Sequence, residues 1–260
     1  MARDLTSNLK ASIIVIGTEL TKGLVQDVNA YQLAKELTCI GVEVNRIIIV
    51  PDDRREIEWA LKKCLELSNV VITTGGLGFT EDDVTIEVVA STLGLPLKLN
   101  TEALEMIKSK IGREVKWEVK AAHLPIGSKP LYNRAGISPG VYVKVDEKHL
   151  FLLPGVPVEA MAVFQDHVKP FLEALLRQHV SRATIIVETM HEVEAEVDEK
   201  IRQVKAKHPL AYFKTYAVKP VKIAIIVTAD KRYLERLIDE ILSDLKLAID
   251  IRDVKVDVSL

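Results

Sequence analysis

Aromatic side chains make up only 5% of this chain, and cysteines number two among 260 residues. The hydrophobic fraction of 48% is therefore largely aliphatic, which suits Val- and Ile-rich strands covered on both faces by helices. Cys39 and Cys64 lie in segments of helical periodicity; they form neither a zinc spacing nor a secreted disulfide framework, and both are expected to be reduced and buried. No apolar run approaches the ~18 residues of a membrane span, and Met1 to Lys10 has no apolar leader core. The expectation is a cytoplasmic protein without a membrane partner. Charge of one sign is also missing, since 35 Lys+Arg stand against 37 Asp+Glu. No global field then draws the chain to nucleic acid or anionic lipid, and any polyanion site must be local. With 12 Gly, 10 Pro and 28% charged residues, disordered and collagen-like classes are excluded.

What is present is an alternation. Ala11–Ile16 is a short apolar run ending at Gly17, and Tyr31, Leu33, Ala34, Leu37 and Ile40 then recur at helical spacing, with Asp27 or Asn29 as cap and Gly41 as stop. Glu43–Val50 predicts a second strand, Ile57 to Leu65 a second helix, and Asn69–Thr73 a third strand. Asp82–Gly94 predicts a third helix with acids in its first turn. Such an order implies right-handed crossovers and a mainly parallel sheet, an α/β fold. Asn100–Gly140 is less regular, helical over Thr101–Ile111 and a strand and turn over Lys120–Ser128. Val141–Val145 and Leu150–Leu153 predict a hairpin, and Met161–Leu175 a helix that Pro170 should kink or split. The pattern restarts past Gln178, so residues 10–178 and 179–260 are expected as an α/β domain and a small α+β domain.

Chemistry concentrates in Val71–Thr85, VITTGGLGFTEDDVT. Gly75, Gly76 and Gly78 follow a strand and precede a helix, where exposed N–H groups and the helix dipole favour a phosphate or carboxylate. Thr73, Thr74 and Thr80 add hydroxyls. Asp82 and Asp83 would be tolerated there with a divalent cation between them and a phosphate, unless this is an ordinary turn with Asp82 as cap. Thr18 and Glu19 end the first strand and Asp52 and Asp53 the second, so three strand ends offer acids or hydroxyls on the edge where open α/β sheets bind ligands. Helix capping is the alternative for Asp52 and Asp53. The histidines show no metal spacing and none is assigned a role; only His123, near Pro125 and Gly127, would come near the pocket. Tyr212–Lys222 interleaves aromatics with lysines, which an edge strand explains more simply than a nucleic acid surface.

IGTELTKG, Asp27-Val28-Asn29, VPDD, TTGGLG with TEDDVT, NRAGISPG and LPGVPVEAM together resemble the N-terminal domain of CinA-like proteins, within the molybdopterin-binding superfamily of MogA and MoaB. The resemblance runs over about residues 10 to 178 and implies a three-layer αβα fold. It implies a nucleotide or pterin phosphate in the glycine pocket and a homo-oligomer. For the CinA-like branch it implies divalent-metal-dependent hydrolysis of a nucleotide diphosphate such as ADP-ribose, and for the MogA-like branch adenylylation of molybdopterin with MgATP. Carried over, Asp52 and Asp83 would face the metal, Mg²⁺ or else Mn²⁺ or Co²⁺. Gly75, Gly76 and Gly78 would cradle phosphate, and Thr18, Asn29, Thr74, Thr80, Asn133, Pro154 and Gly155 would complete the ligand pocket. Glu19, Asp53 and Asp82 are candidates to activate water. Phe79 departs from the proline of many CinA-like sequences, and Glu81-Asp82 replaces a Pro-Arg usual in the MogA-like version, removing a bidentate phosphate donor. The residues after Gln178 are too few for the amidase domain of bacterial CinA proteins, so nicotinamide-nucleotide deamidation is not expected. The expected function is a metal-dependent nucleotide pyrophosphatase, with molybdopterin binding or adenylylation and a non-catalytic nucleotide-binding scaffold as alternatives.

Overall fold

The aliphatic runs come together as a six-stranded sheet in the computed structural model, which describes residues 9–113, 116–176 and 180–259. The chain divides into two compact units, one running to Leu175 without Cys39–Gly41, the other formed by those three residues with Leu176 onward. The expected boundary at 178/179 lies outside the described residues.

In the first unit the elements are β1 (Lys10–Ile16), α1 (Thr18–Thr21), α2 (Asn29–Cys39), β2 (Glu43–Val50), α3 (Arg54–Leu67), β3 (Val70–Thr74) and α4 (Thr85–Thr92). They continue as β4 (Leu97–Leu99), α5 (Thr101–Ile111), a 3-10 segment (Trp117–Ala122), β5 (His123–Pro125), β6 (Lys129–Leu131), β7 (Gly140–Val145), β8 (Lys148–Leu153), α6 (Pro157–Val163) and α7 (Lys169–Leu175). The sheet order is β2-β1-β3-β8-β7-β6. β2, β1, β3 and β8 are mutually parallel, and β7 and β6 add an antiparallel flank.

Strand alternation sends Ile14, Ile16, Val71, Leu150 and Leu152 to one face, where Ile57, Leu61 and Cys64 of α3, Val88 and Val89 of α4, and Ala103 and Ile107 of α5 meet them in one buried cluster. Ile13, Val15, Ile72, Phe151 and Leu153 take the other face and are equally buried. There the Phe151 ring meets Phe171 of α7 edge-on at 5.4 Å. Glu36 of α2 accepts from Gln165 at 2.8 Å and Lys169 at 3.1 Å, which joins the helices of that layer. Pro170 splits its helix as expected. A π turn over Phe164–Val168 widens the chain where proline lacks the N–H for a carbonyl four residues back, and α7 then resumes.

Three expectations change. Cys64 is buried but Cys39 is only partly so, both as free thiols. α4 begins at Thr85, leaving Asp82 and Asp83 in the turn before it. Two strands form without a local signal, β4 just before the irregular stretch and β6 within it; β4 pairs with β5, and β6 joins the main sheet.

In the second unit, β9 (Val180–Thr189), α8 (Glu194–Lys200), α9 (Arg202–Lys207), β10 (Ala211–Tyr216), β11 (Lys222–Asp230), α10 (Lys231–Ala248) and β12 (Ile251–Ser259) build an antiparallel sheet of order β10-β11-β9-β12. Helix α10 buries Leu234, Ile238, Ile241 and Leu245, a four-three-four spacing, against Ile185, Val187, Ile223 and Ile225. Tyr212 and Tyr216 lie on β10, the edge strand expected for them. Among the described residues no helix is long and apolar enough to cross a membrane.

Two outcomes follow. A Cβ on Gly75, at φ +109°, would stand 2.1 Å from the Ile16 carbonyl oxygen, so Gly75→Ala should cost about 3 kcal/mol, read as a lower urea midpoint at unchanged slope. In the second unit, hydrogen bonds from Lys207 and His208 hold the Asp244 carboxyl below its usual range. That contribution is present above the unfolded value of about 3.9 and lost as pH falls through the lower folded one. Asp244→Asn should therefore flatten the acid side of the stability curve, and an unaltered curve would contradict the pairing.

Candidate functional site

The ends of β1, β2, β3 and β8 are sewn together by side chains that the sequence marks as ligand groups. Thr18 donates its N–H to Asp52 Oδ2 at 2.7 Å, and the Asp52 N–H returns to Thr18 Oγ1 at 3.1 Å, which joins the ends of β1 and β2. Asp53 caps α3 by accepting from the amides of Arg55 and Glu56, so the capping alternative holds for it. Asp27 likewise caps α2 through the amides of Asn29 and Ala30. Buried Asn29 donates from Nδ2 to Thr74 Oγ1 at 2.9 Å and to the Gly155 carbonyl at 2.7 Å, while Thr74 donates to the Pro154 carbonyl at 2.7 Å. Asn29, Thr74, Pro154 and Gly155 are thus one knot in which, among the described residues, Asn29 Oδ1 is buried without a hydrogen-bond partner.

The glycine segment is shaped by its own carboxylate. Asp83 Oδ1 accepts from the Gly78 amide at 2.8 Å, and Oδ2 from the Thr80 amide at 2.8 Å and the Thr80 hydroxyl at 2.7 Å. Thr85 fastens the loop's start, its hydroxyl donating to the Gly75 carbonyl at 2.9 Å and its amide to the Gly76 carbonyl at 3.2 Å. Gly78 and Thr80 are therefore already engaged. Among the described residues the amides of Gly76 and Leu77 have no internal partner, nor do those of Ile86 and Glu87 in the first turn of α4. The residue before α4, Val84, supplies no side-chain cap.

A cavity of about 270 Å³ opens beside Gly76, Ile86 and Glu87, lined by them with Gly78, Asp83, Leu97, Lys120, Ala121 and His123. Ile86, Leu97 and Ala121 make its apolar wall. Glu87 is salt-bridged to Arg54. Lys120 donates from Nζ to the Thr80 carbonyl at 2.6 Å and stands 3.9 Å from Glu87 Oε1. His123 Nδ1 lies 3.0 Å from the Val119 carbonyl, a partner to which it can only donate, so Nε2 of the neutral ring is the acceptor.

Of the expected site residues, Gly76, Gly78 and Asp83 share this cavity, with Thr80 bonded to its rim. Gly75 supports the loop from the sheet. Thr18 with Asp52 and Asn29 with Thr74, Pro154 and Gly155 are separate knots, and Glu19, Asp53 and Asp82 are exposed and outside the lining. Asn133 departs from its expected role. Its Nδ2 donates to Ser138 O and Glu159 Oε2, and its Oδ1 accepts from Ala135 and Gly136, so it is saturated as a loop fastener. Among the described residues no three His, Cys, Asp or Glu gather as a metal cage. Asp83 has three donors on it already, and Asp52 does not line the cavity. These acids do not form a dedicated metal centre; what they fit is an ion held mostly by the phosphates and water that accompany it, the usual habit of Mg²⁺. Sequence reasoning missed Lys120 and Glu87. Glu87 at i+4 from Asp83 was a weak helical-face signal, whereas Lys120 arrives from a 3-10 segment without periodicity.

Comparison with known proteins agrees with this architecture. Residues 12–174 match the family model described as a probable molybdopterin binding domain. A protein of Caldivirga maquilingensis is 37% identical over 80% of this chain and 81% of its own. A putative competence-damage inducible protein of Desulforudis audaxviator is 37% identical over 69% of this chain and 46% of its own. The crystal structure of the protein CinA, of unknown function, from Thermoplasma acidophilum is 38% identical with a TM-score of 0.60, over 62% of this chain and 98% of that one. With its motifs, its sheet and its glycine turn in the matched region, the chain belongs to the molybdopterin-binding-domain family, among the CinA-like proteins.

Proposed function

We propose that the cavity takes the phosphate end of a phosphorylated nucleotide or pterin, and that a nucleotide diphosphate of the ADP-ribose type is hydrolysed there. The observation that carries this reading is the set of unpartnered amides at Gly76, Leu77, Ile86 and Glu87 beside an uncapped helix start. Amides fixed in place before the ligand arrives stabilise a phosphoryl group without reorganising, and the α4 dipole adds to them.

In the reaction, a water oxygen bonds to one phosphorus, the anhydride P–O bond breaks, and two phosphomonoesters leave. A divalent ion supplies charge neutralisation to the diphosphate when it is bound, with Asp83 as the carboxylate able to hold it from the cavity and Asp52 reached only by a ligand spanning the strand ends. Asp83 also keeps the loop closed through both of its oxygens, so a substitution there bears on both roles. Asp53 is spent as a cap, and Glu19 and Asp82 lie outside the lining; His123, with Nε2 as acceptor, is the group we assign to take the proton from water. Apolar Ile86, Leu97 and Ala121 face the ligand's ring. Molybdopterin binding on the same amides is the second reading, favoured by the family match over residues 12–174.

Release of mononucleotide from ADP-ribose, NAD and FAD, with Mg²⁺, Mn²⁺, Co²⁺ or EDTA, tests the assignment. The expected result is turnover abolished by EDTA and lowered roughly 100-fold or more by Asp83→Asn, which keeps one oxygen acceptor for the loop and loses the other, so its melting temperature is read beside its turnover. Undiminished turnover in EDTA contradicts the ion's role; binding without turnover under every ion selects the scaffold or pterin reading. His123→Gln should in addition lower kcat roughly 100-fold with pyrophosphate affinity retained, and an unchanged kcat would exclude His123 as base.

A further inference from the structure

The glycine segment Val71–Thr85 contains neither Lys nor Arg, although it carries Glu81, Asp82 and Asp83. A phosphate entering that loop would meet amides and carboxylates and no cation of the loop's own. The cation in the cavity wall comes from elsewhere in the chain: Lys120, on the 3-10 segment Trp117–Ala122.

We infer that Lys120 is the phosphate-contacting cation of this site, and that its bond to the Thr80 carbonyl holds the ammonium ready for the ligand. The assignment rests on the phosphate-binding reading above. Its support is geometric. An ammonium carries three donors, and Thr80 O at 2.6 Å uses one. Glu87, 3.9 Å from the ammonium, is shared with Arg54, so one carboxylate faces two cations and a net positive charge remains among the three. The side chain is 30% exposed, enough for a ligand to reach it, and the tether removes much of the rotamer freedom a free lysine would lose on binding. The same bond ties the 3-10 segment to the glycine loop, so the cation lines one cavity with Gly76, Ile86 and Glu87, whose amides are unpartnered among the described residues. Lys120 thus supplies, from outside the motif, the positive charge the motif lacks. It selects phosphorylated ligands over their dephosphorylated counterparts and takes no part in bond making.

Lys120→Gln separates this from a structural role, because the glutamine amide can still donate toward Thr80 O while the charge is gone. The probe is inorganic pyrophosphate with Mg²⁺, followed by calorimetry and by the ligand-induced rise in melting temperature of the full chain. The expected result is a free-protein melting temperature near that of the wild type, with pyrophosphate affinity reduced roughly 10- to 100-fold and partly restored in Lys120→Arg. Lys120→Gln binding pyrophosphate as tightly as the wild type would overturn the assignment, whatever its own melting temperature. A wild-type chain that binds neither pyrophosphate nor ADP-ribose would instead overturn the phosphate reading itself, and this assignment with it. Should Lys120→Gln not fold, Lys120→Met, which keeps the stem and removes both charge and donor, is the second variant, and its binding pyrophosphate as tightly as the wild type is the overturning result.

Discussion

The carboxylate of Asp83 takes the amides of Gly78 and Thr80, and this internal anion decides where an external one can sit. Without it the turn from Gly76 to Thr80 would offer its N–H groups to any ligand, Gly75 alone being held by the Leu153 carbonyl. With it, the second half of the turn is closed and the first half, Gly76 and Leu77, stays open toward the start of α4. The loop's shape then follows from two further constraints. Gly75 passes so close to Ile16 that only a residue without a side chain fits, and Thr85 ties the loop's first carbonyls to the helix that follows. A segment that reads as flexible from its glycines is thereby fixed from both ends. Fixed amides are what a phosphate site needs, since donors that must reorganise contribute less when charge develops.

Around this loop the sheet works as a clamp. The ends of β1 and β2 are joined by Thr18 and Asp52, and those of β3 and β8 by Thr74, Pro154 and the buried Asn29. These polar residues look like ligand groups because they stand where α/β sheets bind ligands. Their hydrogen bonds show that they hold the strand ends in register, which positions the glycine turn without touching the cavity. The wall opposite the turn is supplied by β4, β5 and the 3-10 segment, the least regular part of the unit.

The α/β core was legible because its signals are local. Aliphatic runs such as Ala11–Ile16 and Asn69–Thr73 are too short and too apolar for anything but buried strands, and Gly41 and Asp53 punctuate their helices as the residue chemistry dictates. The glycine turn was legible for the same reason. What escaped depends on partners distant in sequence. β4 forms because Leu97–Leu99 meets His123–Pro125; the strand over the latter is legible within Lys120–Ser128, but nothing in Leu97–Leu99 announces the pairing. Lys120 reaches Thr80 across forty positions, and Asn133 is saturated by Ser138 and Glu159, facts of packing that composition cannot carry. The first turn of α4 was misjudged in the other direction. Asp82-Asp83 resembles an acidic helix start, yet Asp83 finds better donors in the loop behind it than in the helix ahead.

The central claim is that an anion binds on the unpartnered amides between the glycine turn and α4. Titration of the ¹⁵N-labelled chain with pyrophosphate, read amide by amide, tests it most directly. The account predicts that the largest shifts fall on Gly76, Leu77, Ile86 and Glu87, with Gly78 and Thr80 moving less because Asp83 already occupies them. Largest shifts on Gly78 and Thr80, or at the Thr18–Asp52 or Asn29–Gly155 knots, would contradict it.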